Sequence, residues 1–98
     1  DILAHPGFIT ETDAKLAADN GVILEITSRP SHALTNGHVA ATAKKCGADM
    51  VVNTDTHSPK DIITEERAMQ IAMGAGLTSS DAEKCVYDIP KSLVRKLI

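Results

Sequence analysis

Three short runs of β-prone residues alternate with helix-forming segments along this chain of 98 residues. The runs cover residues 2–4, 22–26 and 50–53, and the connections between strands and helices are short. Alternation of this kind is typical of βαβ units, whose strands lie parallel in one sheet. The sequence therefore predicts an α/β domain of about three βα units.

Capping residues divide the remaining segments into helices. A helix through residues 15–18 is expected to end at Asn20 and Gly21, and Asn36 can cap a second helix that stops at Cys46 and Gly47. Gly47 stands where a left-handed residue after a helix is favoured. Three more helices are expected after the last strand, beginning at Thr64, at Ser79 or Ser80, and at Asp88.

Composition and charge disfavour several classes of function. A net charge of -3 leaves no basic stripe, so binding of nucleic-acid phosphates by charge alone is disfavoured, and a phosphate contact would need help from a metal ion. The absence of a signal peptide and of a long apolar stretch predicts a cytoplasmic protein with no membrane partner. Cys46 and Cys85 match no metal-binding spacing, so we predict that both are free thiols.

Polar side chains follow each predicted strand at the point where it ends. His5 follows the first strand, Glu25 lies near the end of the second, and Asp55 and His57 follow the third. Because the carboxyl ends of parallel strands meet at one edge of a sheet, we expect these side chains to lie close together. Asp55 and His57 are two residues apart, so in extended backbone both reach the same side as ligands of one metal ion or of adjacent ions.

Each candidate also has a structural interpretation. A histidine before proline, such as His5, is often a capping or packing residue, and Asp55 can instead form a turn with its own backbone. Glu25 in an apolar strand is costly unless it is paired, and Arg29 is an alternative partner for it. Two further histidines, His32 and His38, are weaker candidates for the site. We expect His32 to be a mobile loop residue and His38 to be a surface residue of a helix.

Three stretches of the sequence together resemble one known family. "DILAHPG", "GVILEITSRP" and "NGHVAATAKKCGADMVVNTDTHSP" resemble the C-terminal half of the polymerase and histidinol phosphatase (PHP) domain. The resemblance rests on the order and spacing of a His-Pro motif, a Leu-Glu-Ile strand, an Asn-led helix and an Asp-x-His motif. It implies that residues 1–98 are the C-terminal part of a single PHP domain. The implied fold is a C-terminal segment of a distorted (β/α)7 TIM-like barrel, with about three βα units plus C-terminal helices.

The resemblance also implies a set of metal ligands. His5 matches the single-histidine motif of the family, and Asp55 and His57 match its Asp-x-His motif. These three residues are therefore expected to help bind two or three divalent metal ions, which are Zn, Mn or Fe. Glu25 matches a position close to the site that is not an established ligand, so we expect it to contact a ligand or the substrate.

The implied function is that of a metal-dependent phosphoesterase or phosphatase, similar to histidinol phosphatase, in which a metal-activated water hydrolyses a phosphorylated small molecule. Arg29, Ser28 and His32, in the loop after the second strand, are the predicted substrate-binding residues, because a guanidinium and a hydroxyl form charge-assisted bonds with phosphate oxygens. The ligands of the family's N-terminal half have no counterpart here. We therefore expect that half to be a required partner and the 98 residues alone to be inactive.

The sequence leaves two other functions open. One is the PHP nuclease module of a family X DNA polymerase, and the other is a non-catalytic barrel subunit of ribonuclease P that binds RNA. Nucleic acid is a partner only in these two cases. The presence of His5, Asp55 and His57 together, and the lack of a basic face, favour the phosphoesterase.

Overall fold

The computed structural model describes residues 1–98 and contains one parallel sheet of three strands. The strands are β1 (Ile2–Leu3), β2 (Ile23–Thr27) and β3 (Met50–Asn53). They lie in the order β1-β2-β3, and β2 pairs with both neighbours. In the register of this sheet Leu24 lies between Leu3 and Met50. The ends of all three strands therefore face the same edge, as the sequence predicts.

Five α-helices connect and follow the strands. They are α1 (Glu11–Asp19), α2 (Asn36–Cys46), α3 (Glu65–Gly74), α4 (Ser79–Glu83) and α5 (Ile89–Leu97). A π-helical turn at Lys84–Asp88 joins α4 to α5, and single 3-10 turns lie at Ala33–Thr35 and Pro59–Asp61. None of these helices combines the length and the apolar composition needed to cross a lipid bilayer.

Threonine side chains cap the N-termini of three helices. Thr10, Thr64 and Thr78 each accept a hydrogen bond from the backbone N–H three residues further along the chain. This bond satisfies one of the N–H groups that the first turn of a helix leaves without a partner. The cap of α4 is therefore Thr78, whereas the sequence predicts Ser79 or Ser80. At the end of α2, Gly47 has a φ of 76° and forms the predicted left-handed cap.

The hydrophobic core lies between β2 and the helices. All five residues of β2 are buried, and both Leu24 and Ile26 are 0% exposed. Burial of an aliphatic side chain of this size stabilises the fold by about 1.5–3 kcal/mol. Small side chains of α1 and α2 belong to the same core and let the helices approach closely: Ala14, Ala17, Val39, Ala40 and Ala43.

The prediction of a segment of a (β/α)7 TIM-like barrel is wrong. The structure is a small α/β domain whose three-stranded parallel sheet has two open edges, because β1 and β3 each pair with only one neighbour. In β1, Ile2 is 40% exposed and Leu3 is 43% exposed. Alternating strands and helices predict parallel pairing, but a barrel also requires the first and last strands to pair, and no local pattern determines that.

Both cysteines are free thiols, as predicted. Cys46 is half-buried at the end of α2, and its Sγ lies 3.5 Å from the backbone oxygen of Glu11. Cys85 is buried, and this burial raises the pKa of its thiol to about 11, with Asp81 and Asp49 contributing in the same direction. The two thiols therefore differ in accessibility, and the raised pKa of Cys85 makes it harder to ionise than an ordinary thiol.

Candidate metal centre

Three side chains from the three strand ends meet at the edge of the sheet. His5 follows β1, His32 lies in the loop after β2, and Asp55 follows β3. One ligand atom from each lies within 4.8 Å of the other two, and His5 Nε2 is 4.0 Å from Asp55 Oδ2. The structure thus brings together two of the predicted ligands, His5 and Asp55, with a histidine predicted only to contact substrate.

The donor set of this cluster is compatible with a divalent transition metal. Two imidazole nitrogens and one carboxylate oxygen suit Zn, Mn and Fe. Bonds of about 2.0–2.2 Å would place tetrahedral ligand atoms roughly 3.3–3.6 Å apart. The ligand atoms of the cluster, which lie within 4.8 Å of one another, would therefore have to move closer together. The rings of His5 and His32 are stacked, with centroids 4.0 Å apart and planes 13° from parallel. Because the nitrogen lone pairs lie in the ring planes, one ring must tilt before both bind the same ion.

Two residues of the cluster have unusual backbone conformations. His5 has a φ of 26° and Asp55 a φ of 47°, and no other residue except glycine has a positive φ. Such conformations cost of order 1–3 kcal/mol each and persist only where the surrounding structure enforces them. The cost is notable at His5, because a residue before proline normally adopts an extended conformation. Strain concentrated at these two residues is typical of a functional site.

Glu25 holds the backbone of His5 in place. It lies in the middle of β2, is 2% exposed, and its Oε1 accepts a hydrogen bond of 2.8 Å from the backbone N–H of His5. The alternative ion pair between Glu25 and Arg29 is not formed, since Arg29 pairs with Asp55 and Asp61 instead. Glu25 therefore contacts the backbone of a predicted ligand, and its role beside a metal site stays a prediction.

Arg29 links the loop after β2 to the loop after β3. Its Nη1 donates to the backbone oxygen of Asp55 at 2.8 Å, and its Nε lies 3.8 Å from Asp55 Oδ2. The same Nη1 lies 3.6 Å from Asp61 Oδ2. Asp61 accepts hydrogen bonds from the backbone N–H groups of His57 and Ser58. The bond from His57 lowers the pKa of the Asp61 carboxyl most, and the bond from Ser58 and the charge of Arg29 lower it further. A guanidinium is thus held directly beside the cluster.

His57 lies outside the cluster formed by His5, His32 and Asp55. Its Nδ1 is 2.6 Å from the backbone oxygen of Asp55 and 2.7 Å from Nη1 of Arg29. A carbonyl only accepts and a guanidinium only donates, so a single Nδ1 can form a hydrogen bond with just one of these groups. The assignment of His57 as a metal ligand stays a prediction, and Nε2 is the nitrogen that these contacts leave for it.

Comparisons with known proteins extend this description. No protein-family model matches the chain, and no solved structure matches it. The chain is 44% identical over 97 residues to an uncharacterized protein of Methanocaldococcus jannaschii, a match that covers 99% of this chain and 44% of that protein. It is also 28% identical over 111 residues to ribonuclease P protein component 3 of Methanosarcina mazei, covering 98% of this chain and 46% of that protein. The chain thus spans less than half the length of these relatives.

His32 is the cluster residue that the sequence ranks lowest. Its position in an irregular loop favours the interpretation of a mobile side chain, yet its ring stacks on His5. A signal was available, because the loop in which it lies follows β2 at the same edge of the sheet as His5 and Asp55. The sequence does not predict the path of that loop. The path determines whether the side chain of His32 points toward the edge of the sheet or away from it.

The loop after β2 is held at its beginning and near its end. Asn36, the first residue of α2, accepts the backbone N–H of Thr27 at 3.1 Å and donates to its oxygen at 2.8 Å. The N–H of Ser28 donates to the oxygen of Asn53 on β3 at 2.9 Å. These bonds place Ser28 and Arg29 beside β3, and the predicted contact of the two residues with a phosphate stays a prediction.

His38 has a structural role away from the cluster. Its Nε2 lies 2.7 Å from the backbone oxygen of Ile9, and because that oxygen can only accept, Nε2 donates. The ring also contacts Phe8 edge to face, with centroids 5.5 Å apart. These contacts tie α2 to the segment before α1, so His38 is a suitable control position in tests of the cluster.

Proposed function

We propose that the edge of the sheet carrying His5, His32 and Asp55 binds a divalent metal ion in a phosphoesterase of the PHP family. The observation that carries this proposal is the convergence of three ligand atoms, one from each strand end, within 4.8 Å. The positive φ angles of His5 and Asp55 support it, because strained backbone conformations cluster at functional sites. In this proposal the enzyme is cytoplasmic and hydrolyses a phosphorylated small molecule.

The residues of this chain would have different roles in such a site. A divalent ion bound there supplies an activated water and neutralises charge on a phosphoryl group. His5, His32 and Asp55 would hold the ion, and Glu25, which accepts the backbone N–H of His5, would keep the His5 backbone in its strained conformation. The predicted second or third ion requires further ligands, among them His57 and residues of the longer protein. We therefore expect this chain by itself to bind metal without turnover.

Metal binding tests the proposal directly. Titration of the chain with Zn²⁺ and Mn²⁺ by isothermal calorimetry should give a saturable site, and Asp55→Asn and His5→Gln should weaken it by at least about tenfold. His38→Gln is the matched control, since it removes a histidine outside the cluster. His57→Gln tests the remaining predicted ligand. Equal affinity of the parent, the Asp55 variant and the control would contradict the proposal.

A second candidate function is that of a ribonuclease P protein subunit. It is supported by the 28% identity to ribonuclease P protein component 3 across 98% of the chain. On the comparisons alone this candidate is favoured, because the phosphoesterase rests on the motifs and on the geometry of the cluster. The net charge of -3 weighs against it, since binding to the nucleic-acid backbone is mainly electrostatic.

RNA binding distinguishes the two candidates. A ribonuclease P subunit should bind a structured RNA transcript in EDTA, with an affinity that falls steeply as salt is raised. Fluorescence anisotropy at two salt concentrations measures this effect. Tight RNA binding in EDTA without any metal site would favour the second candidate, whereas a metal site without RNA binding would favour the first.

A further inference from the structure

The chain contains two Asn-Gly pairs, Asn20-Gly21 directly after α1 and Asn36-Gly37 at the start of α2. We propose that Asn20 is a site of spontaneous deamidation in the folded protein and that Asn36 is protected from this reaction. Glycine favours the reaction at the asparagine before it, because no Cβ blocks the approach of its backbone nitrogen. Since both pairs have the same chemistry, a difference between their rates reports on the fold. This inference does not depend on the proposed metal site.

The reaction begins with an attack of the backbone nitrogen of Gly21 on Cγ of Asn20. A bond forms between these atoms, the bond between Cγ and Nδ2 breaks, and Nδ2 leaves as ammonia with the proton that the attacking nitrogen loses. The product is a cyclic imide, which water opens at either of its carbonyl carbons. One opening gives aspartate, and the other gives isoaspartate, in which the main chain continues through Cγ. The net reaction consumes water and releases ammonia, and it needs no oxidant, reductant or enzyme.

The peptide unit between Asn20 and Gly21 can rotate without disturbing the core. Attack requires rotation about the Cα–C bond of Asn20, whose ψ is 7°. Gly21 has a φ of 67° and open space around its Cα, so it can absorb a compensating rotation that leaves Val22 in place. The N–H of Gly21 then gives up its 3.3 Å hydrogen bond to the oxygen of Ala18. Nδ2 of Asn20 gives up its 2.8 Å bond to the oxygen of Leu16. Both bonds lie at the end of a helix, where local opening costs little free energy.

Asn36 cannot rotate in the same way, because its side chain is bonded to a buried strand. Its Oδ1 accepts the N–H of Thr27 at 3.1 Å, and its Nδ2 donates to the oxygen of Thr27 at 2.8 Å. Thr27 is 0% exposed, so water cannot replace these bonds when they break. The backbone of Asn36 is also helical, with a ψ of -42°, and rotation there would unwind the first turn of α2. Reaction at Asn36 therefore requires α2 to separate from β2.

Deamidation changes the end of α1. The amide group of Asn20 donates a hydrogen bond to the oxygen of Leu16, whereas a carboxylate only accepts, so this bond is lost. The new negative charge lies beside the carbonyl oxygens at the C-terminus of the helix, where anions are unfavourable, and the last turn of α1 contains no basic residue. Isoaspartate also lengthens the backbone of the turn between α1 and β2. The modified protein is therefore less stable at this end of α1 than the parent.

Incubation of the folded chain at mildly alkaline pH, followed by peptide mass spectrometry, measures both asparagines in one sample. We expect Asn20 to deamidate at least about tenfold faster than Asn36, because only the reaction at Asn36 must first break buried hydrogen bonds. Incubation in guanidinium chloride is the control, and there the two rates should be similar, since the fold no longer protects Asn36. Equal rates at the two residues in the folded chain would overturn the proposal, as would an Asn20 that stays intact in the folded chain while the denatured chain reacts.

A variant and the products test the route of the reaction. In guanidinium chloride, where the left-handed φ of Gly21 no longer matters, Gly21→Ala should slow the reaction at Asn20 at least about tenfold, because the added Cβ hinders the attacking nitrogen. Asn36 should react in this variant at the parent rate. Attack by Gly21 also yields isoaspartate beside aspartate, and methylation by an isoaspartyl methyltransferase detects it. Aspartate alone would indicate direct hydrolysis of the amide and would contradict the proposed attack.

Discussion

The backbone N–H of His5 donates a hydrogen bond of 2.8 Å to Oε1 of Glu25, twenty residues further along the chain. This bond crosses from the loop after β1 to the centre of the sheet, where Glu25 is 2% exposed. It holds the residue with the smallest positive φ in the protein, 26°. This bond explains why the aliphatic strand β2 contains a buried carboxylate, because Glu25 accepts and positions the backbone N–H of His5.

Loss of this bond should be visible at a single amide. In Glu25→Leu the N–H of His5 has no acceptor, so we expect its hydrogen exchange to be at least about tenfold faster than in the parent. Glu25→Gln is the matched control, because its amide oxygen can still accept. Amide exchange followed by NMR makes the comparison. Unchanged protection of His5 in the leucine variant would show that the bond does not hold this loop.

The two hydrogen bonds between Asn36 and Thr27 should contribute measurably to stability. Thr27 is 0% exposed, so its backbone groups lose their partners in Asn36→Ala, and we expect the free energy of unfolding to fall by about 2–3 kcal/mol. Asn20→Ala is the control, since Asn20 is exposed and donates one bond to the oxygen of Leu16. In urea denaturation, Asn20→Ala should lower the free energy of unfolding by at most about 1 kcal/mol.

Two glycines allow a test of backbone conformation separate from packing. An added Cβ has open space at both Gly47 and Gly74, but only Gly47 has a left-handed φ, 76°. Gly47→Ala should therefore lower the free energy of unfolding by about 1 kcal/mol. Gly74→Ala in α3 should raise it by up to about 1 kcal/mol, because alanine favours the helix. Opposite shifts in thermal unfolding would confirm this difference, and equal shifts would contradict it.

The two thiols should react at different rates. At pH 8 we expect iodoacetamide to label the half-buried Cys46 at least about tenfold faster than Cys85, whose pKa of about 11 keeps it protonated. Peptide mass spectrometry over time measures both rates. Denatured protein is the control, because unfolding removes the burial and should bring the rates close together.

The raised pKa of Cys85 also predicts how stability changes at alkaline pH. Between pH 9.0 and about 11 the unfolded thiol loses its proton while the folded thiol keeps it. The folded state then binds more protons, so the free energy of unfolding should fall as pH rises through this window. Cys85→Ala should show a smaller fall in the urea midpoint over the same range. An identical pH dependence in both proteins would contradict the assigned pKa.

Asp61 should stabilise the loop after β3 only when it is ionised. Its pKa in the folded protein lies below the ordinary value of 3.8, chiefly because its carboxylate accepts the N–H of His57. Its contribution is therefore fully present above pH 3.8 and is lost as pH falls through the lower folded pKa. The urea midpoint of Asp61→Asn should lie below that of the parent at pH 7. This difference should shrink toward zero near pH 2.

Much of the secondary structure could be predicted from local patterns. The third strand occupies residues 50–53 as predicted, and α2 begins at Asn36 and ends at the left-handed Gly47. These elements are predictable because β-branched runs, helix caps and glycine turns act on neighbouring residues. The open three-stranded sheet was not predictable in the same way, since closure depends on which distant strands pair.

The candidate site was predictable only in part. The strand ends place His5 and Asp55 at one edge, because parallel strands all end on the same side of a sheet. The sequence favours His57 over His32 as the third ligand, since Asp-x-His is a compact motif. In the structure His32 stacks on His5, and His57 contacts Arg29 and the backbone of Asp55. The conformation of the loops determines which histidine lies in the cluster. That conformation depends on contacts such as those of Arg29 and Asn36.

The sequence by itself determined the order of strands and helices and the edge at which the polar residues collect. These features follow from hydrophobic periodicity and backbone preference, which act over a few residues. Only the tertiary structure decided that Glu25 supports His5, that Arg29 lies between Asp55 and Asp61, and that His32 joins the cluster. Those contacts join residues twenty to fifty positions apart, and they form only after the chain has folded, because the packing of the loops, and no local preference, brings these residues close together.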